Sequence, residues 1–523
     1  MSVKIDKRLV FRNSVSSLIA TFINMGLLVW LQQHLLRRIT PEEYSLYPVF
    51  TSILMFMLIV KTIFAAGISR YITAARATDE SQRVSEVVSS SFLVNVGIAA
   101  LILAVGLPLS ASIEEVLVVD PAYVADARLM MGIMVVSFAL RLAMSSYESG
   151  LIVEQRFILI SIISVGWSLV RLAGILVLII GVSPRVIWVV VVTETTNILG
   201  LVVTVILSRK LIPSLRFRLG HIRIHVLKDV LRFGFWAFFE NVANQIRLAA
   251  DPIILNQLAS PIDVASYHLG ALVPRKLFGL SAFITRPLGP GLTAMSVTGQ
   301  VDRFRRTLAR YGRIMTWATL PVATPLLVLR TEIIRLYAGQ RYVGAAVVLL
   351  CLLVADVLEQ PYSAVPKACY AMAKMRTFSM LTLASQVVNL ALTITLVGRF
   401  RAGAVGAALS TLVVRVALDA WVFPLFGLRL VGLPFRTWFR DSVLRGALPA
   451  LVAAPLMVGI RAIWRPDSWG SVAVQVAIGG AVYLAVLYML AATKVDRTDI
   501  ASVARGIFSR LFHSRSPPGV SIF

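Results

Sequence analysis

The feature that most constrains this chain is a succession of apolar blocks, each about 20 residues long, running from one end of the sequence to the other. A block of about that length is what an α-helix needs to cross a hydrocarbon core about 30 Å thick. The composition points the same way. The chain has 523 residues, of which 58% are hydrophobic and 15% charged, with mean hydropathy +0.82; a soluble domain carries roughly 25% charged residues. A soluble globular enzyme, a disordered chain and a single-span receptor are excluded.

Hydropathy predicts fourteen spans, at 14–36, 46–67, 85–108, 125–147, 157–181, 186–207, 231–257, 264–296, 311–329, 343–365, 377–398, 402–426, 444–463 and 470–492. The first is longer than the apolar region of a signal peptide and reads as a retained helix. The eighth is too long for one straight span, and Pro274, Pro287, Gly289, Pro290 and Gly291 predict that it is kinked or partly extends into the cytoplasm. Fourteen spans put both termini on one side. The net charge of +25 then serves topology rather than nucleic acid, because Lys and Arg fall 32 to 11 in favour of the side that holds the termini. By the positive-inside rule that side is the cytoplasm. The two cysteines, Cys351 and Cys369, form no CxxC pair and imply neither a disulfide framework nor a zinc site.

A shift of 220 residues lays spans 1–6 on spans 7–12. Pro41 then meets Pro261, Tyr47 meets Tyr267, Arg83 meets Arg303 and Arg156 meets Arg376. Each half has an even number of spans, so the halves share one orientation, which is a parallel repeat. The expected organisation is an N-terminal six-helix lobe (1–207), a basic cytoplasmic linker (208–230) and a C-terminal six-helix lobe (231–426). An amphipathic interfacial connector (427–443), an accessory helix pair (444–492) and a cytoplasmic tail (493–523) complete it.

Ionisable residues inside the spans are the most informative feature for function. Each costs about 2.5–3.5 kcal/mol at the bilayer centre, so it needs a partner or a cavity. In span 7, Glu240, Asn244, Arg247 and Asp251 are spaced 4, 3 and 4 apart and share one helix face. In span 8, His268, Arg275 and Arg286 fall on a common face. Lys61, Arg141, Arg171, Lys276 and Arg415 add further cations, against the acids Glu194, Glu240, Asp251, Asp356, Glu359 and Asp419. Arg247–Asp251 and Arg415–Asp419, both four residues apart, also read as simple neutralising pairs, and Arg141 and Arg286 can snorkel. The excess of cations suits an anionic substrate, such as a lipid phosphate or pyrophosphate, which arginine grips through two parallel hydrogen bonds.

Four stretches carry a resemblance. They are Arg37-Arg38-Ile39-Thr40-Pro41-Glu42-Glu43-Tyr44-Ser45-Leu46-Tyr47 after span 1, and Leu231-Arg232-Phe233-Gly234 entering span 7 with Asp251-Pro252 near its outer end. The others are Glu332-Ile333-Ile334-Arg335-Leu336-Tyr337-Ala338-Gly339-Gln340-Arg341-Tyr342, and Gly403-Ala404-Val405-Gly406-Ala407-Ala408 opening span 12. Over residues 8–430 the chain resembles the bacterial polysaccharide (O-antigen and exopolysaccharide) flippases of the multidrug/oligosaccharidyl-lipid/polysaccharide exporter superfamily. Ser45 stands where that family often has Gly.

The resemblance implies two six-helix lobes around a central cavity. It also implies alternating access, often coupled to an ion gradient, and an undecaprenyl-pyrophosphate-linked oligosaccharide moved from the inner to the outer leaflet of the bacterial inner membrane. The expected partners are that lipid, membrane lipid, and a polysaccharide polymerase with its export machinery. On this reading Arg247, Arg275, Arg286, Lys61, Arg141, Arg171 and Arg415 attract the anionic headgroup. Asp251 and Glu240 are the ion-coupling candidates, with a purely structural role as the alternative, and Asn244 and His268 line the cavity. Two other functions stand beside this one: an ion-coupled multidrug exporter, which the excess of cations disfavours, and an intramembrane glycan polymerase or transferase. Among the histidines only His268 lies well inside a span, and the outer loops are too short for a catalytic domain. No GxxxxGK[ST] motif or metal-ligand cluster is present, and no enzyme activity, cofactor, metal or nucleic acid is expected.

Overall fold

The computed structural model describes residues 7–77, 80–154, 156–285, 288–372 and 374–498. Side chains are described outside 7–18, most of 59–79, residue 149, 225–240, 278–287, 289 and 290. The regular elements among the described residues are all helices, with no strand. In the first half the helices are α1 (Lys7–Arg38), α2 (Pro41–Ala77), α3 (Ser81–Ala111), the short α4 (Ile113–Val116), α5 (Val124–Val153), α6 (Phe157–Gly181) and α7 (Ile187–Leu211). The next group is α8 (Ile224–Leu258), α9 (Pro261–Thr285), α10 (Leu288–Val297), α11 (Val301–Val328), α12 (Arg330–Ala338), α13 (Ala345–Glu359) and α14 (Val365–Ala371). The last is α15 (Met375–Ile394), α16 (Gly403–Val414), α17 (Ala420–Val431), α18 (Phe435–Trp438), α19 (Arg445–Ile463) and α20 (Trp469–Val486).

Every predicted span falls on a helical segment. Span 8 falls on α9 and α10, with Pro274 within α9; span 10 covers α13, the turn at Gln360–Tyr362 and the start of α14, and span 12 covers α16, a π-helical turn and most of α17. Among the described residues, ten helical stretches are long and apolar enough to cross a membrane, and eleven if α11 and α12, bent by 77°, count as one. Spans 2, 7 and 8, which fall on α2, on α8 and on α9 with α10, carry Lys61, the Glu240–Asp251 stripe and Arg275. Among the described residues, four π-helical turns interrupt or end the later helices, at Thr395–Arg399, Arg415–Asp419, Phe439–Leu444 and Leu487–Ala491.

Contacts divide the chain into two compact units. One comprises residues 1–276, 337–352 and 374–414; the other comprises 277–336, 353–373 and 415–523. In the first unit α2 packs along α8, α5 packs between α3 and α7, and α15 lies against α8. Ile68, Ile72, Val84, Val87, Val88 and Tyr147 form part of its apolar core. The first-loop motif is a docking hub in this unit. Glu43 accepts a hydrogen bond from the Val186 N–H at 2.6 Å, at the start of α7, and the Tyr44 hydroxyl donates to Gln32 Oε1. Glu42 pairs with Arg341 at 3.8 Å, and Tyr337, from the same stretch as Arg341, donates to the Val29 carbonyl at 2.5 Å. Two of the stretches that carry the family resemblance are thus joined. Asn256, near the end of α8, bridges both backbone groups of Val118 at 3.0 Å.

In the second unit α11 packs on α19 and α19 on α20. The approach of α11 to the turn at Gln360–Tyr362 requires Gly312, because a Cβ there would collide with the Pro361 carbonyl. Gly432, at φ 65°, ends α17. Its N–H donates to the Arg429 carbonyl and the Leu433 N–H to the Leu428 carbonyl, the paired bonds of a Schellman motif. The predicted connector 427–443 follows as helix leading into α19, with Phe435 and Phe439 exposed and stacked at 5.8 Å and Trp438 buried. The chain beyond α20 is tied down by Asp496, buried at 2% exposure, which takes Arg310 at 2.9 Å and Arg313 at 2.7 Å.

Candidate functional site

Three groups of buried charge contain the sequence-predicted residues. The first lies in the N-terminal half, among α2, α5, α6 and α7. Arg141 on α5 reaches Glu194 on α7 at 3.3 Å, with the Glu194 side chain 6% exposed and that of Arg141 26% exposed. Glu194 also accepts from the Ser137 hydroxyl at 2.5 Å and from the Asn197 amide at 3.2 Å. Ser137 lies one turn before Arg141 and Asn197 one turn after Glu194, so each charge sits beside a polar neighbour on its own or the facing helix. Arg171 on α6 donates to Thr196 at 3.2 Å and to the Asn197 Oδ1 at 2.9 Å. Beside this cluster is a cavity of about 170 Å³ lined by Tyr47, Thr51, Phe138, Arg141, Thr193 and Glu194, with Leu54, Met55, Leu58, Met134 and Val190 as its apolar wall.

The second group surrounds the α8 stripe. The 4, 3, 4 spacing lies on one continuous helix, so Asn244, Arg247 and Asp251 share a face; Asn244 and Arg247 are half-buried and Asp251 is buried. Asp251 accepts hydrogen bonds from the Tyr267 hydroxyl on α9 and from Thr393 on α15, the latter at 3.4 Å. Thr393 in turn shares a hydrogen bond of 2.6 Å with Ser410 on α16. Arg275 donates to the Leu248 carbonyl at 2.8 Å, which brings α9 onto α8 beside the stripe. His268 is buried, stands edge-on to the Tyr44 ring at 6.1 Å, and has no hydrogen-bond partner on either ring nitrogen among the described residues.

The third group, in the second unit, encloses Arg415 at the π-helical turn. Its guanidinium meets Asp419 at 3.0 Å, Glu359 at 3.1 Å and the Tyr362 hydroxyl at 3.3 Å. Two carboxylates therefore hold one cation, all with little exposure. The Arg415–Asp419 pairing read from the sequence is present, and Glu359 completes a triad. Arg286 and the side chains of Lys61 and Glu240 lie outside the described residues.

The sequence reading thus separates into an arginine pair with Glu194, a stripe with Arg275 around Asp251, and a closed triad at Arg415. It missed Tyr47, Thr51 and Ser137 at the first group and Tyr267, Thr393 and Ser410 at the second. Only the correspondence of Tyr47 with Tyr267 in the internal repeat carried a signal for two of these.

A helical bundle with many apolar spans and paired charge buried at their depth defines a multi-pass membrane protein built like a transporter. The family of polysaccharide biosynthesis proteins matches residues 10–284, more than half of the sequence, and the chain belongs to it. An uncharacterized membrane protein, EpsK of Bacillus subtilis (strain 168), is 22% identical over 493 residues, covering 93% of this chain and 96% of EpsK. Among solved structures, a lipid II flippase MurJ in an inward closed conformation superposes with a TM-score of 0.66 at 16% identity, covering 96% of this chain and 99% of that one. An inward-facing multidrug resistance MATE family transporter of the MOP superfamily gives a TM-score of 0.64 at 15% identity, over 80% of this chain and 98% of the other. The fold is therefore the one shared by these two transporters.

Proposed function

We propose that this chain is a flippase that moves a polyprenyl-pyrophosphate-linked oligosaccharide from the inner to the outer leaflet of a bacterial inner membrane, by alternating access, for polysaccharide biosynthesis. The observation that carries the reading is the Arg141–Arg171–Glu194 cluster beside a cavity, in a chain of the polysaccharide biosynthesis family. Two guanidiniums against one carboxylate leave a positive balance at membrane depth, where an unpaired cation is costly and an arriving phosphate is welcome. Arg247 and Arg275 add cationic groups around α8.

The headgroup enters from the cytoplasmic side and is met by these arginines, while the polyprenyl tail stays in lipid, so that its carbons never enter water. Asp251 is the coupling group: it is buried and held by two hydroxyls, Tyr267 and Thr393, that a proton or sodium ion can replace or join. Glu240 is its companion on the same face. Asn244 and His268 line the path, with Lys61 and Arg286 as further headgroup contacts. Arg415, closed by two acids, holds the turn between α16 and α17. The Lys/Arg bias supports cytoplasmic termini, and in this reading a polymerase and export machinery act on the delivered lipid.

The shared fold with a multidrug transporter keeps drug export as the rival reading. An organic cation, however, is badly served by a cluster with more guanidiniums than carboxylates. In proteoliposomes, Arg141→Ala and Arg275→Ala are expected to slow transbilayer movement of a short polyprenyl-pyrophosphate oligosaccharide by at least tenfold, about 1.4 kcal/mol each. Unchanged movement in both variants makes these arginines structural.

A further inference from the structure

The cavity among α2, α5 and α7 is fronted by an ion pair, and the bonding of that pair is uneven. Glu194 accepts one short hydrogen bond, from the neutral Ser137 hydroxyl at 2.5 Å, and a longer one from the Asn197 amide at 3.2 Å. Its contact with Arg141 runs through one guanidinium nitrogen at 3.3 Å, longer than the roughly 2.7–2.9 Å of a good charge-assisted bond. Arg141 also donates from Nε to the Ser137 carbonyl at 3.4 Å. A guanidinium has five N–H donors in a planar fork, so these two long contacts leave it able to turn toward a better anion. Among the described residues Arg171 donates directly to the neutral acceptors Thr196 and Asn197. Asn197 therefore ties the second guanidinium to the carboxylate.

From this geometry we infer that Glu194 is an internal counter-anion, holding in the empty transporter the place on Arg141 that the pyrophosphate of the substrate takes on loading. The inference rests on the flippase reading. Without Glu194, Arg141 would stand uncompensated at membrane depth whenever no substrate is bound. With it, loading exchanges one anion for another, and the displaced carboxylate keeps its Ser137 and Asn197 hydrogen bonds. Tyr47, Thr51 and Thr193 supply the remaining polar surface of the cavity, placed to meet the phosphate oxygens or the first sugar. Glu194 thereby sets how tightly the headgroup is held: a carboxylate that competes for Arg141 weakens binding enough for release.

The test uses the full chain in lipid nanodiscs and inorganic pyrophosphate as the probe, titrated by calorimetry. Glu194→Gln removes the competing charge and keeps the Ser137 and Asn197 hydrogen-bonding shape; it is expected to lower the Kd by on the order of tenfold. Glu194→Asp, one methylene shorter, keeps the charge but withdraws it from Arg141, and is expected to shift the Kd the same way by a smaller factor. Arg141→Gln is expected to raise it at least tenfold, which assigns the binding to this cluster. A Glu194→Gln protein that melts like wild type and binds pyrophosphate equally or more weakly overturns the inference; if that variant does not fold, Glu194→Asp decides by the same criterion. Wild type that moves the polyprenyl-pyrophosphate lipid while the Glu194 variants bind as it does sinks the counter-anion and leaves the flippase. Wild type that neither binds pyrophosphate nor moves the lipid sinks both.

Discussion

The carboxylate of Glu43 caps the helix that carries Glu194: it accepts the Val186 N–H at 2.6 Å, immediately before α7 begins. Glu43 is 5% exposed, and burial pushes its carboxyl above the usual carboxylate range although the Val186 hydrogen bond opposes the shift. A family motif in the first loop thus fixes the entry of α7, and α7 presents Glu194 to Arg141. Glu43→Ala is expected to lower stability by about 1–2 kcal/mol, the cost of losing a helix N-terminal acceptor, and to slow transport by misplacing α7. Thermal unfolding in detergent checks the first and proteoliposome transport the second; Glu43→Gln should recover most of both.

Ion coupling is proposed to act through Asp251. Asp251→Asn keeps the size of the side chain and the neighbours Tyr267 and Thr393 but cannot change charge. Transport by this variant is expected to stop responding to an imposed proton or sodium gradient, with any residual movement independent of it. Tyr267→Phe and Thr393→Val each remove one hydroxyl and are expected to shift the ion concentration for half-maximal transport without abolishing the response. A gradient response in Asp251→Asn equal to wild type would place the coupling elsewhere.

Arg415 is expected to behave as a structural residue. Arg415→Met leaves Glu359 and Asp419 facing each other without their cation, and breaking a buried pair of this kind costs about 3–5 kcal/mol. The folded yield should fall sharply. A variant that removes Asp419 together with Arg415 should recover stability relative to Arg415→Met alone, measured by the melting temperature of purified protein.

At the chain's end, burial alone would raise the Asp496 carboxyl, but the Thr493 hydroxyl, Arg313 and Arg310 outweigh it and hold the group below the usual carboxylate range. A carboxyl depressed in the folded state adds stability that is whole above its unfolded pKa of about 3.9 and is lost as pH falls through the folded value. Asp496→Asn is therefore expected to lower the melting temperature at neutral pH. The gap to wild type should close below about pH 4. A gap unchanged between pH 7 and pH 3 would mean that the ion pairs with Arg310 and Arg313 contribute nothing.

The legible part of this molecule is the local part. The spans could be read because each is a run of apolar residues. The face shared by Asn244, Arg247 and Asp251 could be read because helical spacing is a property of neighbours, and so could the Arg415–Asp419 pair. What closes around those residues was not legible. Thr393 reaches Asp251 across 142 residues and Ser137 reaches Glu194 across 57. Both are ordinary polar residues whose role is set by which helices pack together. Glu194 could be seen as an acid at depth, but its exchange partner Arg141 emerged only from the contact of α5 with α7. Asp496 gave no signal in the sequence, since the guanidiniums that bury it come from α11.

The most direct test of the central claim compares one glycan on two carriers. Proteoliposomes holding the wild-type chain receive the same short oligosaccharide on a polyprenyl pyrophosphate and on an uncharged polyprenyl ether, and arrival in the far leaflet is followed by lectin accessibility. A headgroup held by arginines is expected to give protein-dependent movement of the pyrophosphate lipid at least tenfold faster than that of the neutral one. Equal rates for the two carriers, or no protein-dependent movement of either while an organic cation is exported, would contradict it.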